Sequence, residues 1–122
     1  MTTEPLVAVI DDDDPFRTAL VESLCSFGYR VRGFASAEEF IAANAEPSCD
    51  CIITDIHMPG MSGLDLKRHL AARSCKAPVI MITARADEGL EARVVASGAA
   101  CLLRKPFESG DLIGWLNKVL KY

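Results

Sequence analysis

Five polar residues stand where apolar runs stop. Asp11 and Asp12 follow Leu6–Ile10, Asp55 follows Cys51-Ile52-Ile53-Thr54, Thr83 follows Pro78–Ile82, and Lys105 follows the run Ala99–Leu103 by two residues. Three carboxylates brought together repel one another and stay ionised only beside a cation. An all-oxygen donor set with no thiol or imidazole favours a hard ion, Mg²⁺ above zinc or copper, and Mg²⁺ usually pairs a few carboxylates with a phosphoryl group. Lys105 supplies a second positive charge that keeps Asp55 ionised and holds a phosphoryl oxygen. An ionised carboxylate in such a setting is suited to attack phosphorus and form an aspartyl phosphate. Taken singly, each residue has a plainer use. Asp55 can be a turn residue, Asp11 to Asp14 a solvated, helix-capping turn, Thr83 the end of a strand, and Lys105 a surface residue before a turn Pro. Their common position at strand ends is what argues for chemistry.

The elements that must position them read as follows. Leu6–Ile10 is a fully buried strand. Asp14 caps a helix with Pro15 in its first turn, Phe16, Leu20, Leu24 and Phe27 on its inner face, and Gly28 at its end. Tyr29–Phe34 alternates as a second strand, with Arg30 and Arg32 on one side. Ser36 and Glu39 form a capping box that opens a helix through Asn44. After the Glu46-Pro47-Ser48 loop comes the central strand, Cys49–Thr54, closed by Asp55. Pro59-Gly60 turns the chain, and Ser62 caps a helix with Leu66 and Leu70 facing inward. Pro78–Ile82 is a buried strand, Asp87–Ser97 a helix carrying Leu90 and Val94 inward, Ala99–Leu103 a short strand, and Asp111–Lys121 a last amphipathic helix. Five strands alternating with five helices predict an α/β fold, a doubly wound parallel sheet covered on both faces, with ligand chemistry at the carboxyl ends of its strands. No repeat, linker or low-complexity stretch divides the chain, so residues 1–122 are expected to be one domain.

Composition narrows the function. The chain has 122 residues, and its 17 acidic against 13 basic residues give a formal net charge of −4. That argues against direct nucleic-acid binding, which needs a basic face. No apolar run approaches the roughly 20 residues of a membrane span. Met1–Pro5 has neither the basic start nor the apolar stretch of a secretory signal. The five Cys residues, 25, 49, 51, 75 and 101, are odd in number and fit no zinc spacing. Cys49 and Cys51 are expected to face the same way on a strand. Reduced, structural cysteines fit a cytoplasmic protein.

The motifs Val9-Ile10-Asp11-Asp12, Thr54-Asp55-Ile56-His57-Met58-Pro59-Gly60-Met61-Ser62-Gly63, Ile82-Thr83-Ala84 and Lys105-Pro106-Phe107, in this order, resemble the receiver domain of bacterial two-component response regulators, the family of the chemotaxis receiver. The resemblance spans Leu6 to about Leu120. It implies a flavodoxin-like (βα)₅ fold with strand order 2-1-3-4-5. It makes Asp55 the phosphoacceptor. Asp12, Asp55 and the backbone carbonyl of His57 would ligate Mg²⁺, with Asp11 acting through water. Thr83 would be the switch hydroxyl, Lys105 the phosphoryl-binding residue, and the Lys105–Pro106 bond cis. It implies a signalling domain, not an enzyme acting on a separate substrate. Such a domain takes its phosphoryl group from a sensor histidine kinase or phosphotransfer protein and catalyses its own dephosphorylation. His57 and Arg85 resemble the positions that tune phosphoryl lifetime.

One position departs from the family. Three residues before Lys105, where receivers usually carry Tyr or Phe, this chain has Leu102. The stretches Ser36–Phe40 and Met58–Leu64 look most like regulators in which a DNA-binding domain follows, and Tyr122 falls where that linker would start. A stand-alone phosphorelay receiver is the alternative. A degenerate receiver serving only as an interaction module is disfavoured by the intact Asp11, Asp12, Asp55, Thr83 and Lys105. A Mg²⁺-dependent phosphohydrolase of the haloacid-dehalogenase type would need an Asp where His57 stands.

On the last helix Leu112, Ile113, Leu116, Val119 and Leu120 form one apolar face. Trp115 falls about 100° from its centre. It either lies flat over the edge of the core or, with the Asp87–Ser97 helix and the Ala99–Leu103 strand, forms a docking or homodimer surface within Asp87–Tyr122.

Overall fold

The structure, a computed structural model, describes residues 4–85 and 87–120. Met1–Thr3 of the expected signal-free start, Lys121 of the expected last helix and Tyr122 of the expected docking region lie outside them. The apolar runs become strands: β1 (Leu6–Ile10), β2 (Arg30–Phe34), β3 (Cys51–Asp55), β4 (Val79–Thr83) and β5 (Cys101–Arg104). Between and after them lie α1 (Asp14–Ser26), α2 (Ala37–Ala42), α3 (Gly63–Ala72), α4 (Leu90–Ala96) and α5 (Ser109–Leu120), with a 3₁₀ turn at Glu46–Ser48. All pairings are parallel and the order is β2-β1-β3-β4-β5, the doubly wound sheet expected.

Every residue of β1, β3 and β4 is buried, because helices cover both faces of the sheet centre. Phe40, Leu66, Leu70, Leu90 and Val94 of α2, α3 and α4 pack on one face with Ala8, Ile10, Ile52 and Met81. Leu20, Leu24, Leu112 and Leu116 of α1 and α5 pack on the other with Val7, Val9, Ile53, Ile80 and Ile82. The register Ile10↔Thr54 puts Asp11, one residue on, level with Asp55. Thr83 pairs with Arg104, so Lys105 follows at the same rim.

Several local expectations are corrected. Asp13, not Asp14, is the N-cap of α1: its Oδ1 accepts the Phe16 N–H at 3.1 Å, while Asp14 is already helical and pairs with Arg17. A carboxylate reaches the amide three residues on, and from Asp13 that amide is Phe16, the second free N–H after Pro15 removes one. Phe27 is 55% exposed, because the helix has ended before it. In α2 the Ser36 hydroxyl accepts from Glu39 as expected, but the Glu39 carboxylate accepts from Ala35, one residue outside the box. That helix stops at Ala42, with Asn44 at φ 51°. α4 starts at Leu90, not Asp87, since Gly89 at φ 77° is not helical and Asp87 is occupied elsewhere. Cys49 and Cys51 do not share a face. Cys49 precedes the strand and joins the α2–α4 side of the core, whereas Cys51 is within it and joins the α1–α5 side.

Candidate functional site

Asp11 and Asp55 are carried to the rim by the neighbouring strands β1 and β3, and both are nearly closed to solvent, at 1% and 7% exposure. Asp12, next along the chain, is exposed. One carboxylate oxygen from each of Asp11, Asp12 and Asp55 lies within 4.8 Å of the others. Lys105 reaches in from the end of β5 across the sheet. Its Nζ donates to Asp11 Oδ2 at 3.0 Å and stands 3.8 Å from Asp55 Oδ2. Three carboxylates against one ammonium leave a deficit of two positive charges, which a divalent cation would match.

The surroundings fix each group. Asp11 Oδ1 accepts the Asp13 N–H at 2.9 Å, and the Asp11 carbonyl accepts from Arg17 Nη1 at 2.7 Å, so the turn after β1 is bonded on both sides. Asp55 Oδ1 accepts the Ile56 N–H at 2.9 Å. The Lys105 ammonium lies 3.9 Å from the centroid of the Phe16 ring, a cation–π contact that covers it from α1. Burial, and next the charge of Asp11, raises the Asp55 pKa above the ordinary carboxylate value, against which Lys105 and the Ile56 N–H pull it down. A bound cation would act in the same direction as Lys105 and the Ile56 N–H, favouring the ionised carboxylate.

The loop from Asp55 to α3 is closed by glycines. At Gly63 a Cβ would stand 2.5 Å from the Asp55 carbonyl oxygen, so only Gly lets α3 begin this close to the strand end. The Ser62 hydroxyl and Asp65 carboxylate complete a capping box there, at 3.1 and 3.0 Å, and the Ser62 backbone N–H, then the Ser62 side chain, hold the Asp65 pKa below its ordinary value.

Not all the expected residues converge equally. Thr83 is buried at the end of β4, but its hydroxyl donates to the Arg85 carbonyl at 2.9 Å and accepts the Arg85 N–H at 3.0 Å. The His57 side chain turns away from the carboxylates, with Nε2 3.1 Å from Asp87 Oδ2. Arg85 Nε stands 3.8 Å from the other Asp87 oxygen. Lys105–Pro106 is cis. Leu102 is half-buried on the α4 side, lining with Val94 and Val95 a depression of about 210 Å³. Trp115 is half-buried at the edge of the α1–α5 core, with Lys118 Nζ 4.8 Å from its ring centroid. Sequence reasoning missed Phe16 as the cover of Lys105, Arg17 as the clasp of the Asp11 carbonyl, and Asp87 as the partner of His57. Helical spacing had already assigned Phe16 to the core, and the other two contacts join segments with no shared motif.

The family model of the response regulator receiver domain matches residues 7–117. The response regulator protein TmoT of Ectopseudomonas mendocina is 36% identical over 118 residues, 97% of this chain and 54% of TmoT. The transcriptional regulatory protein FixJ of Azorhizobium caulinodans is 41% identical over 107 residues, 88% of this chain and 51% of FixJ. The chain thus spans about half the length of the curated relatives it matches. Among solved structures, the crystal structure of FixJ-N superposes with a TM-score of 0.87 at 30% identity, covering 99% of this chain and 97% of that one. The response regulator StyR gives 0.89 at 35% identity, covering 98% and 60%.

Proposed function

The chain belongs to the response regulator receiver domain family, and from that premise we propose that Asp55 is its phosphoacceptor, taking a phosphoryl group from a phosphohistidine of a sensor kinase or phosphotransfer protein. The observation that carries this is the position of Asp55: buried, beside Asp11 and Asp12, with the Lys105 ammonium 3.8 Å away. An Asp55 oxygen forms the new bond to phosphorus, the phosphorus–nitrogen bond breaks, and the leaving imidazole takes up a proton. Asp12, Asp55 and the His57 carbonyl are the residues that would hold Mg²⁺, with Asp11 acting through water. When bound, Mg²⁺ would neutralise the charge that builds on the phosphoryl oxygens. Lys105 would hold one of those oxygens, and the Thr83 hydroxyl would leave the Arg85 peptide to meet another.

The rest of the reading concerns the output. Several relatives are named as transcriptional regulators and are about twice as long as this chain. We therefore assign the chain the regulatory half of such a protein, working in the cytoplasm, with residues 1–122 as its receiver domain. No helix among the described residues is long and apolar enough to cross a membrane. The exposed Val95 and the depression beside Leu102 support a homodimer or docking contact within Asp87–Tyr122. Light scattering before and after phosphorylation tests that contact.

Mass spectrometry after incubation with Mg²⁺ and a small acyl phosphate tests the central reading. One phosphoryl mass is expected on the parent and none on Asp55→Asn. Equal labelling of both would overturn the assignment.

A further inference from the structure

The first turn of α2 holds two adjacent glutamates that do different things. Glu39 serves its own helix, accepting the Ala35 N–H at 2.9 Å. Glu38 does not. It reaches across to the loop after β3 and accepts the Met61 N–H at 2.9 Å through Oε2. That same oxygen lies 2.4 Å from where a Cβ on Gly60 would be, so Gly60, at φ 76°, both makes the turn and leaves room for the carboxylate.

The loop is bonded firmly at its two ends. Ile56 N–H is held at Asp55 Oδ1 and at the Ile82 carbonyl, both at 2.9 Å, and Gly63 N–H is held at the Ile56 carbonyl at 3.0 Å. Between those anchors lie His57 to Ser62; Ser62 is held in the capping box of α3, its N–H donating to Asp65 Oδ2 at 3.0 Å, which leaves His57 to Met61. Among the described residues, the bond from Met61 to Glu38 is the one hydrogen bond made by the main chain of that stretch. The apolar side chains of Met58 and Met61 pack on the same core cluster as Ala37 and Phe40 of α2, so the polar tie lies over an apolar one.

We propose that Glu38 is a positioning residue for the cation site: by holding Met61 it sets the path of the His57–Met61 backbone, and with it the His57 carbonyl. The proposal rests on the reading of the Asp55 site given above. Glu38 touches neither the carboxylates nor the phosphoryl position. Its effect is on where a ligand carbonyl stands, and groups of this outer kind commonly change metal affinity by about 10- to 100-fold. Linkage then requires the converse, that Mg²⁺ binding tightens the Glu38–Met61 bond.

Calorimetric Mg²⁺ titration of Glu38→Ala, Glu38→Gln and Glu39→Ala tests this, with thermal unfolding in chelator checking that each is folded. Glu38→Ala should weaken Mg²⁺ binding roughly ten-fold. Glu38→Gln, whose amide oxygen can still accept, should stay within about two-fold of the parent. Glu39→Ala, which disturbs the same helix turn, should match the parent. In the parent, Mg²⁺ should slow hydrogen exchange at the Met61 amide, and in Glu38→Ala it should not. Parent-like affinity in Glu38→Ala overturns the proposal, and so does a Gln variant as weak as Ala, which would point to charge alone. Equal losses in the Glu38 and Glu39 variants overturn it as well, because they would point to α2 as a whole. A parent that binds no Mg²⁺ instead overturns the underlying reading of the site, and the proposal falls with it.

Discussion

Lys105 is bound to Asp11 before it is bound to Asp55: its Nζ is 3.0 Å from Asp11 Oδ2 and 3.8 Å from Asp55 Oδ2. The ammonium thus neutralises the more buried carboxylate and leaves Asp55 short of a full partner. It also shares the site with any cation that Asp11 helps to hold.

Lys105→Met should therefore have opposite effects on two measurements. Mg²⁺ affinity should rise, because a competing positive charge is gone. The rate of phosphorylation by acyl phosphate should fall about a hundred-fold, the scale for loss of one group that stabilises transferring oxygen charge. Calorimetry and timed mass spectrometry separate the two. A parallel fall in both would mean that Lys105 mainly holds the site together.

Asp55→Asn should stabilise the cation-free domain near neutral pH. The folded-state pKa of Asp55 is raised, first by burial and then by Asp11, so its ionised form costs stability above the ordinary carboxylate range. The cost sets in as pH rises from the unfolded value through the folded one and disappears below both. Urea unfolding should show the variant more stable at about pH 7 and level with the parent as pH falls to about 4. Added Mg²⁺ should narrow the difference at neutral pH. A variant no more stable than the parent in chelator would contradict this account of the site.

Leu102→Tyr should leave the phosphorylation yield within about two-fold of the parent. Leu102 is half-buried against the α4-side core and, unlike the groups around Asp55, makes no polar contact. A large loss of yield would show that this position shapes the site, rather than only its readout.

Trp115→Ala should cost about 2 kcal/mol in urea unfolding, below the usual range for a fully buried aromatic because the ring is only half-buried. Its packing on the α1–α5 core and the Lys118 cation over its ring support the reading in which it lies along the core edge. A negligible cost, coupled with lost partner binding, would favour the docking role instead.

The elements that carry the carboxylates were legible because each is a nearly unbroken apolar run ended by a polar residue, a pattern that only a covered parallel strand explains. The sequence is less explicit about which of several equivalent groups is used. Four consecutive aspartates left the cap of α1 one residue out, and only the backbone geometry selects Asp13. Gly89 falls inside the helix expected over Asp87–Ser97, but its positive φ is non-helical and the helix starts after it, at Leu90. Thr83 was correctly placed at the rim, but the direction of its hydroxyl depends on the Arg85 peptide, and no spacing rule reports a side-chain rotamer. The contacts of Lys105 with Phe16 and of Glu38 with Met61 join segments far apart in the chain, and pattern reading does not reach them.

Two turns of helix are all that α4 amounts to. It is seven residues long, starts from a glycine with no side-chain cap, and turns only Leu90 and Val94 fully inward. A helix this short has little cohesion of its own and persists on the strength of those two anchors. Its amides should trade hydrogen with solvent well before those of α1 or α3, through openings that leave the sheet intact. The helix that follows Thr83 in the chain should therefore open more readily than the longer α1 and α3, without a global unfolding event.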